Sequence, residues 1–265
     1  GDVITPLDAG TITNYAFTPS AGTFTPLVGS TRVATIEADE GISAALPIGF
    51  DFWFMGVRYT NVYASSNGFL SFNPSATASL TNNLATSATS IRPLLAPLWD
   101  DNDGRASGGS FASYLTTGTA GSRVFTFEWL NWEWNYNAGG AVISMQVKLY
   151  EGTGKVEFVY AQGAANVNSG SASIGIAASA TGSGNYLSLG STAANPPVSS
   201  TSETTNLSTK PATGQVYAFV PPIPSAAPTD LTFTDVTQTG MTLNWTDNAT
   251  NEAGYAVFRS TDGIT

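Results

Sequence analysis

The sequence contains no cysteine and no histidine. Without cysteine there is no disulfide framework and no thiolate metal site. Without histidine the commonest general base, the commonest metal ligand and the base of any Ser-His-Asp triad are gone. Most familiar hydrolase chemistry therefore has nothing to work with, and the expectation is a protein that is not an enzyme. Charge is also scarce, at 11% of residues, with nineteen acidic residues against nine basic ones, three of them lysine. Nucleic acid and anionic membrane surfaces both demand a basic patch, and there is no material for one. No apolar run approaches the roughly 18 residues of a membrane span, so direct membrane insertion is not expected. The opening GDVITPLDAG lacks the basic-then-apolar plan of a signal peptide. A mature chain whose targeting segment has been removed is expected.

Helical periodicity is the last absence. No stretch repeats apolar residues at i, i+3, i+4, i+7 over three turns with caps in place, and residues 75–90 hold one helical turn at most. What is present instead is strand. β-branched and aromatic runs of five to eight residues recur between Gly, Asn, Asp and Pro. They are 13–18, 32–36, 45–55, 58–65, 68–72, 94–100, 110–116, 123–136, 141–151, 155–161, 172–178, 185–189 and 215–221. The Asn67-Gly68 pair between two of them is a strong hairpin signal, and EGTGK (151–155) and NAGGA (137–141) mark two further turns. Some dozen strands joined by short turns predict an all-β fold, a large antiparallel two-sheet β-sandwich of jelly-roll-like form. Its surface must be largely Ser, Thr, Asn and Gly, which suits a secreted or cell-surface protein.

The character changes near residue 221. PPIPSAAP (221–228) is a proline-rich, semi-rigid linker, which leaves residues 1–220 as the sandwich and 229–265 as a new set of strands. The opening PTDLTF, the strand MTLNW with Trp245, the loop TDNATNEAG and the strand YAVFRS resemble the first part of a fibronectin type III domain. That resemblance implies an incomplete immunoglobulin-like sandwich, because the whole domain needs seven strands. Three explanations stay open: a fragment of a longer repeat protein, a remainder cleaved or left out, or strands donated by a neighbouring subunit.

The first 220 residues carry a second resemblance. YAFTPSAGTFTPLVG (15–29), LPIGFDFWFMGVRYTNVYASSNGFLSF (46–72), LLAPLWDDNDG (94–104), RVFTFEWLNW (123–132) and QVKLYEGTGKVEFVY (146–160) resemble amino-terminal β-sandwich modules of large secreted bacterial surface proteins, including ones exported by the type IX pathway. The APLWDD stretch followed by RVFTFEW is also similar to the nidogen-type extracellular domain of animal matrix proteins. Such modules imply adhesion, spacing or assembly, and the resemblance brings no set of ligand residues with it.

Two stretches are candidate sites. FTFEWLNWEWNYN (125–137) holds three of the six tryptophans. On a strand Phe125, Phe127 and Trp129 share one face, whereas Trp132, Trp134 and Tyr136 share the other. The change of parity predicts a β-bulge or a strand leaving its sheet near 129–130. Trp132, Trp134 and Tyr136 are then partly exposed, as a platform for sugar rings or an interface between copies, or else they cover the end of the core. WDDNDG (99–104) gathers oxygen ligands: Asp100, Asp101, Asn102 and Asp103 suit a surface calcium ion, or else form a turn bonded to its own backbone. No cofactor beyond that possible calcium is implied. Among the carboxylates Glu128 and Glu133 fall on opposite faces by simple parity, and Glu151 and Glu157 flank a turn, so no acid pair suggests hydrolysis. The expected function is a non-enzymatic secreted or cell-surface structural or adhesive module, the subunit of a fibre or the front of a multi-domain adhesin. Its partners are other copies or neighbouring surface proteins. The alternative is a carbohydrate-binding module of a larger secreted enzyme, with glycans as ligands.

Overall fold

The computed structural model describes residues 2–7, 10–222, 227–248 and 254–259. Regular structure among them is strand and short 3-10 turn, with no α-helix, so none of their helices is long and apolar enough to cross a membrane. The chain opens with β1 (Asp2–Leu7), β2 (Ala16–Ala21) and the short β3 (Thr31–Arg32). Next come β4 (Leu46–Phe54), β5 (Val57–Ser65), β6 (Phe69–Ser71) and β7 (Leu94–Trp99). A further run holds β8 (Phe111–Thr117), β9 (Val124–Trp132), β10 (Ile143–Tyr150) and β11 (Val156–Gln162). β12 (Ser173–Ala177), β13 (Tyr186–Leu189), β14 (Val198–Ser199) and β15 (Gln215–Val220) follow. The tail contributes β16 (Thr229–Thr234), β17 (Thr242–Thr246) and β18 (Gly254–Arg259).

Two seven-stranded sheets carry the fold, in the orders β2-β15-β11-β10-β9-β8-β3 and β14-β13-β12-β7-β6-β5-β4. Their strand pairs are antiparallel. Within the sheets β8 to β11, β4 to β7 and β12 to β14 run as hairpin meanders. The chain changes sheet between β3 and β4, β7 and β8, β11 and β12, and β14 and β15. Outside these sheets β16 pairs with β17, and β1 pairs with β18.

Side-chain alternation explains why the sheets stack. Along β4, Leu46, Ile48, Phe50, Phe52 and Phe54 are buried while the residues between them are not. They meet Phe125, Phe127, Trp129, Phe158 and Tyr217 of the other sheet in one core. Each such side chain contributes about 1.5–3 kcal/mol on burial. β7 departs from alternation, with all six residues of LLAPLW buried. Its outer face lies in a second, smaller core of Phe69, Leu84, Ile91, Leu94, Ala96, Trp99, Ala177 and Tyr186. Arg92 pins the cover of that core: its guanidinium donates to the carbonyls of Leu84, Ala178, Ala180 and Asn185 and to Ser87 Oγ. Burial lowers the Arg92 pKa to about 10. At the sheet edge the carbonyls of Ile48 and Gly49 on β4 accept hydrogen bonds from Thr116 Oγ1 (2.7 Å) and Arg123 Nη1 (2.8 Å), which blunts that edge against foreign strands.

The expected strand segments are found with shifted ends. The run at 32–36 is the exception, since it leaves the sheet after Arg32 and closes as a 3-10 turn at Ala34–Ile36. A 3-10 turn at Thr89–Ile91 straddles the end of the 75–90 segment, where the sequence allows one helical turn. Residues 223–226 of the proline-rich linker lie outside the described residues.

Candidate functional site

The two candidate stretches come together at one end of the sandwich. β9 runs inward-facing through Phe125, Phe127 and Trp129, all fully buried. Between Trp129, opposite Met145, and Trp132, opposite Ile143, β9 advances three residues while β10 advances two. This is the β-bulge that the parity change predicts. Asn131 occupies it with φ of 57°, a left-handed conformation that Asn tolerates better than most residues. Its N–H donates to Ser144 Oγ and its carbonyl accepts from Ser110 Oγ.

The direction of the bulge overturns the exposed platform. The extra residue turns Trp132 and Trp134 back inward, and both have no exposed surface. Their indole N–H groups are fixed inside: Trp132 donates to the Ser66 carbonyl at 2.8 Å, and Trp134 to Asp100 Oδ2 at 2.7 Å. Gly104 lies so close to Trp132 that a Cβ there would sit 2.6 Å from the ring. Tyr136 alone of the three is exposed, at 49%. Trp132 and Trp134 therefore belong to the core, and a stacking platform of Trp132, Trp134 and Tyr136 does not exist.

The aspartate loop is equally committed. Asp100 accepts from Trp134 Nε1 and the Ser171 N–H at Oδ2, and from the Asp101 N–H and Ser171 Oγ at Oδ1. Asn102 is buried, its Nδ2 donating to the Leu98 and Asn67 carbonyls. Asp103 holds Arg105 through Nε at 2.9 Å and Nη2 at 2.5 Å, and its backbone forms a two-way bridge with Glu133. The turn facing this loop needs Gly68, whose φ is 81° and whose added Cβ would meet the Leu98 carbonyl oxygen at 2.0 Å. A calcium shell built from Asp100, Asp101, Asn102 and Asp103 is thus corrected: Asp100, Asn102 and Asp103 hold the protein together.

Asp101 keeps a different company. One carboxylate oxygen from each of Asp39, Glu40 and Asp101 lies within 4.8 Å of the others. Burial raises the pKa of Asp101, and the charges of Asp39, Asp100 and Asp103 raise it further. Glu40 is raised by burial and by Asp101, Asp39 and Asp103 against a hydrogen bond from Asn67. Carboxylate oxygens are the ligand type a hard cation takes, but three fall short of the roughly six to eight that calcium needs, and Arg105 already contacts Asp39 at 3.2 Å. The contribution of Asp39 and Glu40 is invisible in the sequence, because they lie some sixty positions before the aspartate loop.

Three of the other acids considered for hydrolysis are engaged as well. Glu128 is buried, accepting the Leu27 N–H at both oxygens and Gln146 Nε2 at 2.6 Å. Burial raises its pKa despite those bonds. Glu151 pairs with Arg123 and Glu157 with Lys155. Glu133 sits beside Asp103, and burial and that neighbour raise its pKa.

A family model described as NIDO related matches residues 14–221. This span runs from the first 3-10 turn to the residue after β15. No curated protein and no solved structure matches the chain.

Proposed function

The chain belongs to the NIDO-related family, and from that premise we propose that it is a non-enzymatic extracellular module with a structural or adhesive role. Its partners are other copies of itself or neighbouring surface proteins. The observation that carries this reading is where the reactive-looking residues go. Trp132, Trp134, Asp100, Asp103 and Glu128 are each buried and bonded within the framework. None is left to face a reactant. A surface low in charge favours lateral association, because little repulsion or lysine desolvation opposes it. The glycan-binding alternative loses its motive with the platform, since Tyr136 is the one ring of the three at the surface.

The tail fits the fibronectin type III reading in its antiparallel β16–β17 pair and in the edge-on contact of Trp245 with Tyr255 at 5.5 Å. The test pairs sedimentation velocity over a range of concentrations with assays for polysaccharide and ester turnover. Concentration-dependent association without turnover is the expected result. A chain that stays monomeric and hydrolyses either substrate class overturns the proposal.

A further inference from the structure

β1 and β18 pair with each other and with no other strand among the described residues. Their antiparallel ladder runs the full length of both strands, from Asp2 opposite Arg259 to Leu7 opposite Gly254. β1 belongs to neither seven-stranded sheet, and Ile12, a few residues further on, is buried in the main core. A short stretch of sequence therefore separates this two-stranded ladder from the first element of the sandwich. A two-stranded sheet on its own is marginal in water, so this ladder opens more readily than the sandwich. Val257 of β18 is exposed and lines one hollow with Met241 and Leu243.

We infer that β18 is an acceptor edge for β1 of a second copy, so that copies are linked by strand exchange. The pairing within one chain shows that this edge takes the segment DVITPL in a defined register. The same backbone donors and acceptors meet the same segment from a neighbour, which is the logic of strand addition and domain swapping. Within a dilute chain the tethered strand wins through its high effective concentration. Where copies are crowded, as on a surface or in a fibre, a neighbour's β1 competes with it. The inference rests on the self-association part of the proposed function and supplies its contact.

The absence of cysteine makes the test clean, since each introduced thiol is the only one in its chain. Pro6 lies opposite Tyr255 and has no N–H to exchange, so that pair is not a hydrogen-bonded one. By alternation the Ile4–Val257 pair is of the same type, with Cα atoms about 4.5 Å apart, inside disulfide range. Ile4→Cys and Val257→Cys chains of different mass are mixed and oxidised at increasing concentration. Thr5→Cys with Ala256→Cys repeats the measurement one position along. The expected result is a mixed disulfide that grows with concentration and exceeds both homodimers several-fold. The double variant, oxidised while dilute, closes on itself and then loses the ability to associate. Mixed disulfide no more abundant than the homodimers overturns the exchange. So does a closed double variant that associates like the unmodified chain, and in that case self-association stands while its strand-exchange contact falls.

Discussion

Trp134 is the residue at which the structural role and a ligand-binding role separate most sharply. Its indole N–H is one of the donors that hold Asp100 in the interior. Trp134→Phe keeps a ring but withdraws that donor from a buried carboxylate, a loss of about 2–3 kcal/mol. The measurement is chemical denaturation, and a lowered midpoint is expected. Asp101 behaves in the opposite sense. Its pKa is raised by burial and by its acidic neighbours, so the folded chain binds a proton more tightly than the unfolded one. Its contribution is therefore unfavourable at neutral pH, and it is relieved as pH falls through the raised value toward the unfolded one. Asp101→Asn is expected to raise the melting temperature near neutral pH, and the gain should vanish below about pH 3, where Asp is protonated in both states. Equal gains at both pH values, or a loss at neutral pH, contradict the electrostatic account.

At the scale of elements the bulge in β9 decides the fate of the aromatic stretch. Asn131 holds φ at 57°, where a β-branched side chain is strained by roughly 1–3 kcal/mol and glycine is not. Asn131→Val should lower stability by about that amount, whereas Asn131→Gly should come close to the parent chain. Thermal unfolding followed by near-ultraviolet circular dichroism checks both, because the affected tryptophans dominate that signal. The bulge also shows what was legible in the sequence. The switch of apolar parity at 129–130 announced an irregularity, and the Asn-Gly and Gly-rich turns announced the hairpins. Counting alternate residues assumes a regular strand, however, so it gives the wrong face for every residue beyond the inserted one. β14 escaped because Val198–Ser199 is too short to carry a pattern. The approach of Asp39 and Glu40 to Asp101 escaped because it depends on distant segments meeting, through the bond of Asn67 to Glu40 and its bonds to Asn102.

For the whole molecule, the proposed function makes the sandwich a structure that persists rather than reacts. Two cores flank the second sheet, and one of its long edges is capped by side chains. Asp100, Asp103, Glu128, Trp132 and Trp134 are bound to the framework. The measurement that tests this account most directly is electron microscopy of the concentrated chain. Ordered association of copies, through repeated contacts, is the predicted result. A monodisperse population at every concentration, with copies showing no repeated contact, would contradict it.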